Sequence, residues 1–235
     1  MSTQPPLLEA RNLGRRHPDG RSWLLEDVSL LIEPGMRLAL VGPSGAGKTL
    51  LLRALALLDP LDSGDVRFRG TNVRRDGVPP FRREVHYLHQ RAALLDDTVE
   101  AALRRPFTLK CRLQQQFQQP RAVEILERLG RDASFLAKNV SDLSGGEIQI
   151  TALIRALQLE PTVLLLDEPT AALDAQAASA VEDLLQHWIS QQAAARAMVW
   201  VSHDRQQAGR VAQTVVSIEA GRICNPNTLP SPIGS

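Results

Sequence analysis

The stretch MRLALVGPSGAGKTLLLRALALL, Met36 to Leu58, decides the fold. MRLALVG is almost continuously apolar, the texture of a strand buried on both faces, and KTLLLRALALL carries the spacing of a helix. Between them GPSGAGKT fits the pattern G-x-x-x-x-G-K-[ST] in the context that pattern requires, after a strand and before a helix. Its glycines let successive backbone N–H groups turn inward around phosphate oxygens, and the helix N-terminus adds partial positive charge. Gly42, Pro43, Ser44, Gly45, Ala46, Gly47, Lys48 and Thr49 are therefore expected to cradle phosphates, with Leu50 behind them in the first helical turn. Lys48 would reach the β and γ phosphates, and the Thr49 hydroxyl would ligate Mg²⁺.

Downstream, TVLLLDEPTAALD (Thr162–Asp174) sets two carboxylates at the C-terminal end of a buried strand, where open α/β sheets place their ligands. Asp167 is expected on the Mg²⁺ side, acting through water, and Glu168 is placed to polarise an attacking water as general base. Some twenty residues earlier stands a second glycine pair, in SDLSGGEIQITALIRAL (Ser141–Leu157). Ser144 and Glu147 have the spacing of a helix capping box. Yet Gly145 and Gly146 leave the helix start bare enough for a phosphate to approach, and the two readings can coexist.

The rest of the chain fits one sizeable core with a small subdomain. At 235 residues it is too short for several full domains, and its 43% hydrophobic and 23% charged residues are ordinary globular values. A net charge of +1 gives no broad electrostatic reason to expect nucleic acid. Cys111 and Cys224 are far apart and belong to no metal-binding spacing, which suits a reducing cytoplasm. No apolar run approaches the length of a membrane span, so a membrane process would need another chain.

LLEARNL and WLLEDVSLLI read as an antiparallel edge layer broken by the turn-rich HPDGRS. Buried strands follow at VHYLHQ, TVLLLD, AMVWVS and TVVSIEA, with helices AQAASAVEDLLQHWISQQ and DRQQAGRVA between the later ones. Such alternation predicts a mostly parallel sheet covered by helices. Between Gln90 and Leu143 there are helical patterns, TVEAALRR and PRAVEILERLG, but no central strand, which predicts a helical insertion. RLQQQFQQP within it reads as polar helix surface.

With these motifs in place the chain resembles the nucleotide-binding subunit of an ABC transporter. Walker A is Gly42–Thr49, Walker B is LLLDE (Leu164–Glu168), and LSGGE (Leu143–Glu147) is similar to the family's LSGGQ signature. The resemblance implies an α/β P-loop NTPase fold of ABC type: a mostly parallel sheet, an antiparallel β layer and a helical subdomain. Its boundaries are an N-terminal tail at 1–6, the ATPase domain at 7–224 with the helical subdomain at about 91–158, and a tail at 225–235 expected to be disordered for its Pro, Asn and Ser. It implies ATP and Mg²⁺ as ligands, with Gln90 as the Q-loop glutamine near the metal, Asp174 as the D-loop aspartate and His203 as the switch histidine. Two copies are expected head to tail, the signature of one closing over the γ-phosphate on the Walker A of the other. The implied partner is an integral membrane permease, which would hold the chain at the cytoplasmic face of the cell membrane.

The pattern is broken in places. Where the family offers an aromatic ring to adenine, RRHPDG supplies His17, with Trp23 as a second candidate. Glu147 and Ile150 replace the usual Gln and Arg after the signature, while Arg155 is kept. Within the family the segment from Leu136 to Asp174 looks most like the ATPase subunits of bacterial Fet (YbbL-like) iron exporters. A soluble ABC ATPase acting on DNA or ribosomes is the competing reading, against which stands the lack of a coiled-coil insertion, zinc module or second cassette. A non-hydrolysing regulator would be expected to lose the Walker B glutamate, and Glu168 is present.

Overall fold

A computed structural model describes residues 5–112 and 114–224, and among these the side chain of Cys111 is not described. The tail at 225–235 and most of the N-terminal tail lie outside the described residues. The chain forms two compact units, one from the described parts of residues 1–87, 161–168 and 189–235, the other from 88–160 and 169–188.

The first unit holds two sheets. β1 (Leu8–Arg16) and β2 (Trp23–Ile32) form an antiparallel hairpin whose register runs from Leu8 opposite Ile32 to Arg16 opposite Trp23. The alternation in EDVSLLI is realised, with Val28, Leu30 and Ile32 buried and the residues between them exposed. β3 (Arg37–Val41) leads into α1 (Lys48–Leu55), and β4 (Ser63–Phe68) and β5 (Thr71–Asn72) complete the first sheet in the order β2-β1-β4-β5. The short α2 (Val78–Glu84) precedes β6 (Val85–Leu88).

The second sheet has the order β10-β9-β3-β8-β7-β6, where β7 is Val163–Asp167, β8 is Ala197–Val201, β9 is Thr214–Glu219 and β10 is Arg222–Cys224. β3, β7, β8 and β9 run parallel, and every residue of β7 and β8 is buried, which is why these segments read as unbroken apolar runs. Leu8, Leu25, Ile32, Leu40, Leu51, Leu52, Leu55, Val199 and Ile218 share one core. At about 1.5–3 kcal/mol for each fully buried large aliphatic side chain, this cluster is the main source of the unit's stability.

The second unit is helical: α3 (Val99–Arg104), α4 (Gln119–Arg128), α5 (Gly145–Leu157) and most of α6 (Ala175–Gln191), with 3₁₀ turns at Ala133–Ala137 and Val140–Asp142. Thr98 caps α3 by accepting from Ala101 N, and Val99, Leu103, Leu126, Leu136, Leu153 and Leu157 are among its buried residues. Two details depart from the sequence reading. Gln115–Gln118 form no helix, since α4 begins only at Gln119 beside Pro120. The unit also takes in residues 169–188, beyond the expected 91–158, because the segment after β7 docks on α5: Gln149, buried there, accepts from Ala172 N at 3.3 Å. The remaining helix, α7 (Arg205–Val211), belongs to the first unit.

Candidate functional site

Register brings the expected residues of the first unit level with one another. Val201 of β8 lies opposite Leu40 of β3 on one side and Asp167 of β7 on the other. The loop after β3, the carboxylates ending β7 and the turn after β8 therefore leave the sheet at one height, at the C-terminal ends of parallel strands.

The phosphate loop is held by backbone. A Cβ on Gly42 would stand 2.2 Å from Ile218 O, so no other residue fits there. Gly47, at φ 103°, is the N-cap of α1, and a Cβ on it would meet Leu24 O at 3.2 Å. Gly45 also has positive φ, with open space around it, while Pro43, Ser44 and Gly45 are exposed and Ala46 is buried. Lys48 is only 8% exposed; its ammonium donates to Gly42 O and to Pro43 O, both at 2.8 Å. Leu50 is half-buried in the first turn of α1.

Beyond the loop, Thr49 Oγ1 donates to Asp167 Oδ1 at 3.1 Å, and Asp167 itself is 2% exposed. A hydroxyl has one proton and two lone pairs, so the Thr49 oxygen can still face a cation while its proton is committed to Asp167. Such an oxygen set suits Mg²⁺, which takes few protein ligands and keeps its remaining positions for water and phosphate. No cluster of three or more His, Cys, Asp or Glu that could hold a metal is found among the described residues, so the fit rests on the Thr49 and Asp167 oxygens alone. The residues therefore fit the ion.

The other oxygen of Asp167 accepts from Tyr87 OH at 2.9 Å. Burial, first, and then the charge of Asp167 push the Tyr87 hydroxyl well above its ordinary pKa, so it stays a donor. Sequence reasoning missed this residue, because a tyrosine in a buried strand reads as packing.

Glu168 follows directly, with a backbone φ of 48° and its N–H donating to Val201 O at 3.2 Å. A non-glycine residue in the left-handed region is uncommon and costs about 1 kcal/mol or more; such residues gather at functional sites. His203 Nδ1 stands 3.6 Å from Glu168 Oε2, an ion-pair approach too long for a hydrogen bond. The turn carrying His203 is fixed at both ends: Asp204 N donates to Ser202 Oγ at 3.0 Å, and Asp204 caps α7.

His17 closes the β1–β2 turn, accepting from Gly20 N and donating its own N–H to Ser22 O, while its ring stays exposed with Nδ1 3.1 Å from Asp19 Oδ1. Trp23 is half-buried and the Arg16 guanidinium lies 4.5 Å from its ring centroid, covering one face. Leu24, next in sequence to Trp23, is the residue whose carbonyl approaches Gly47, so Trp23 lies one residue along the chain from a contact with the phosphate loop.

In the second unit Ser144 and Glu147 form the capping box. Glu147 N donates to Ser144 Oγ at 3.2 Å and Ser144 N to Glu147 Oε2 at 2.9 Å. Lys138 donates to Glu147 Oε1 at 2.7 Å, and that contact, followed by the Ser144 N–H, holds the carboxyl down to about 2. The two glycines differ. A Cβ on Gly146 would meet Ala172 O at 2.8 Å, whereas on exposed Gly145 the nearest atom would be at 3.9 Å. Gly146 is thus needed for internal packing, and Gly145 has no such reason to be glycine. Ile150, in place of the family's arginine, is 1% exposed and belongs to the interior. Arg155 is half-buried, and desolvation lowers its pKa. Asp174 accepts from Ala177 N at 2.8 Å and so caps α6, and Gln90 lies exposed after β6.

The structure therefore brings Lys48, Thr49, Asp167, Glu168 and His203 to one end of the larger sheet, and places Gln90, Ser144, Gly145, Gly146 and Asp174 in the second unit. No helix among the described residues is long and apolar enough to cross a membrane.

Comparison with known proteins agrees with this geometry. The fold is that of a dimeric ATP-binding cassette solved in a post-hydrolysis state with ADP and Pi (TM-score 0.84, 24% identity, 95% of this chain and 99% of that one). It is also that of a bacterial Atm1-family ABC exporter with ATP bound (TM-score 0.80, 22% identity, 96% of this chain and 40% of that one). In sequence the chain is 34% identical to the probable iron export ATP-binding protein FetA of Escherichia coli strain K12, over 93% of this chain and 94% of that protein. It is 40% identical to a sulfate/thiosulfate import ATP-binding protein of Cucumis sativus and 36% identical to an Fe(3+) ions import ATP-binding protein of Rhodococcus jostii strain RHA1, covering 92% and 89% of this chain. It spans 61% and 59% of those two relatives' own lengths. Residues 25–171 match the ABC transporter family, and with the phosphate loop, the paired carboxylates and the signature in place the chain belongs to that family as an ATP-hydrolysing cassette.

Proposed function

We propose that the chain acts as a head-to-tail dimer that binds two Mg-ATP between its copies and couples their hydrolysis to a separate membrane permease, with metal export, iron foremost, as the transport. The observation that carries the ATP site is the Thr49 hydroxyl bonded to the buried Asp167 beside the Lys48 loop. In each site Lys48 meets the β and γ phosphates and the loop N–H groups surround them. Mg²⁺, when bound by Thr49 and by Asp167 through water, neutralises charge on the phosphates. Glu168 takes a proton from the attacking water as the water oxygen bonds to the γ-phosphorus and the bond to the ADP oxygen breaks; His203 orients the water and the γ-phosphate.

Gly145 supports the dimer. Its bare, exposed position at the start of a capped 13-residue helix leaves room for a phosphate held by another copy, and no packing within its own chain calls for glycine. Asp174, at the start of the next helix, is assigned to the same dimer contact, and His17, Trp23 and the Arg16 plane are the groups offered to adenine. The likeness to FetA, which runs over nearly all of both chains, supports metal export; import relatives of comparable identity are the reason the permease must be found by experiment.

The test mixes Lys48→Ala chains with Ser144→Arg chains, each inactive alone. Random mixing makes about half of the dimers mixed, each with one intact site, so recovery toward roughly a quarter of wild-type turnover is expected when sites act independently. Cysteines replacing Ser44 and Ser144, in a background lacking Cys111 and Cys224, should crosslink between copies more strongly with ATP. Crosslinks found only within one chain would sink the dimer reading. Co-purification from detergent-solubilised membranes identifies the permease, and cargo follows from it.

A further inference from the structure

We infer that Tyr87 is a positioning residue for the metal side of the site, its hydroxyl fixing Asp167 so that the carboxylate presents a set orientation to Thr49 and the ion. The inference rests on the Mg²⁺ assignment above and goes beyond it, since no motif of the sequence assigns a role to this position.

The geometry is a clamp. Asp167 ends β7, and its two oxygens are taken by donors from two different elements: Thr49 in the first turn of α1 on Oδ1 at 3.1 Å, and Tyr87 in neighbouring β6 on Oδ2 at 2.9 Å. A carboxylate held by one donor can still swing about its last torsion, which is broad for aspartate; held through both oxygens, it cannot. The two bonds use half of the roughly four lone-pair positions, leaving the others for the water shell of an ion. The Tyr87 ring is packed against the apolar core, so phenylalanine would fill the same space. What tyrosine adds is the hydroxyl, which donates to Asp167 and also stands beside the Arg53 guanidinium; an Asp167→Asn background separates the two.

Groups that orient metal-side carboxylates typically change metal affinity 10- to 100-fold when removed. Here Thr49 keeps its hold on Oδ1, so the low end applies. Tyr87→Phe should raise the Mg²⁺ concentration at half-maximal tightening of ATP binding by roughly tenfold, while turnover at saturating Mg²⁺ stays within about threefold of wild type. The tests are a fluorescent ATP analogue titrated with Mg²⁺ at fixed protein, and Mn²⁺ binding followed by electron paramagnetic resonance without hydrolysis.

Because a loss of packing could imitate this, the same substitution is made in an Asp167→Asn background. If Tyr87 acts through the carboxylate, Tyr87→Phe should shift the Mg²⁺ midpoint of wild type and leave that of Asp167→Asn unmoved. A wild-type midpoint that Tyr87→Phe leaves unchanged or lowers overturns the inference, as does an equal shift in both backgrounds. A wild type whose nucleotide binding ignores Mg²⁺ overturns the metal assignment and the inference with it; a Mg²⁺-dependent wild type matched by Tyr87→Phe overturns the inference alone. Should Tyr87→Phe fail to fold, Mn²⁺ binding by Tyr87→Leu with its folding verified decides: wild-type affinity there overturns the role of the hydroxyl.

Discussion

Replacing each signature glycine by alanine separates internal packing from a role toward another molecule. In Gly146→Ala the new methyl would lie 2.8 Å from Ala172 O and 3.0 Å from Leu173 Cδ2. The first of these is a backbone atom, so the loop after β7 must shift. Overpacking of this kind costs about 1–3 kcal/mol, against a helix-propensity gain of at most about 1 kcal/mol for glycine to alanine. The net loss is about 1 kcal/mol, which lowers Tm by roughly 2–4 °C for a chain of this size. In Gly145→Ala the nearest atom is Ala172 Cβ at 3.9 Å, an ordinary contact, so stability should hold or rise by up to about 1 kcal/mol. Turnover should behave the opposite way if the proposed dimer holds, with Gly145→Ala the more damaging because its methyl would stand on the surface that the proposal assigns to the second copy's phosphate. Urea unfolding gives the stabilities, and phosphate release at saturating Mg-ATP gives the rates. If Gly145→Ala hydrolyses ATP like wild type, or if the two substitutions destabilise equally, the division of labour between the glycines is wrong.

Two further outcomes are expected. Glu168→Gln should bind ATP but lose most turnover, since an amide can hold the water and cannot accept its proton; size-exclusion profiles with Mg-ATP should show a persistent dimer, and near-normal turnover would remove Glu168 as base. Glu147 titrates at about 2 in the folded chain against 4.5 ordinarily, so its contribution to stability is full above pH 4.5 and fades as pH falls toward 2. Acid unfolding of wild type and Glu147→Gln should accordingly converge below about pH 2, and a gap that persists there would assign the contribution to something other than the charge.

Legibility followed burial. The run from Met36 to Leu58 announced β3, the loop and α1, because a strand buried on both faces has no choice of composition. SGDVRF announced nothing: glycine and aspartate are poor strand formers, and β4 exists because β1 supplies a partner, with Ala10 opposite Val66. The same holds at the site. Lys48, Thr49 and Asp167 carry chemistry in their spacing, whereas Tyr87 lies eighty residues from Asp167 and meets it only through the sheet order. Gly146 reads in the sequence as a glycine left bare for a ligand, but the atom that requires it, Ala172 O, belongs to a loop that docks through Gln149.

Lys48 has a consequence of its own. Its ammonium is bonded to the carbonyls of Gly42 and Pro43, the loop's own backbone, so the cradle carries a built-in tenant of the charge opposite to its guest. An ammonium has three N–H donors, so with two spent on the loop's own carbonyls a third remains for a phosphate oxygen, and the lysine can tie guest and cradle together at once. A chain without the lysine would therefore lose the stay that holds the loop's own backbone together with the contact the loop is shaped to make.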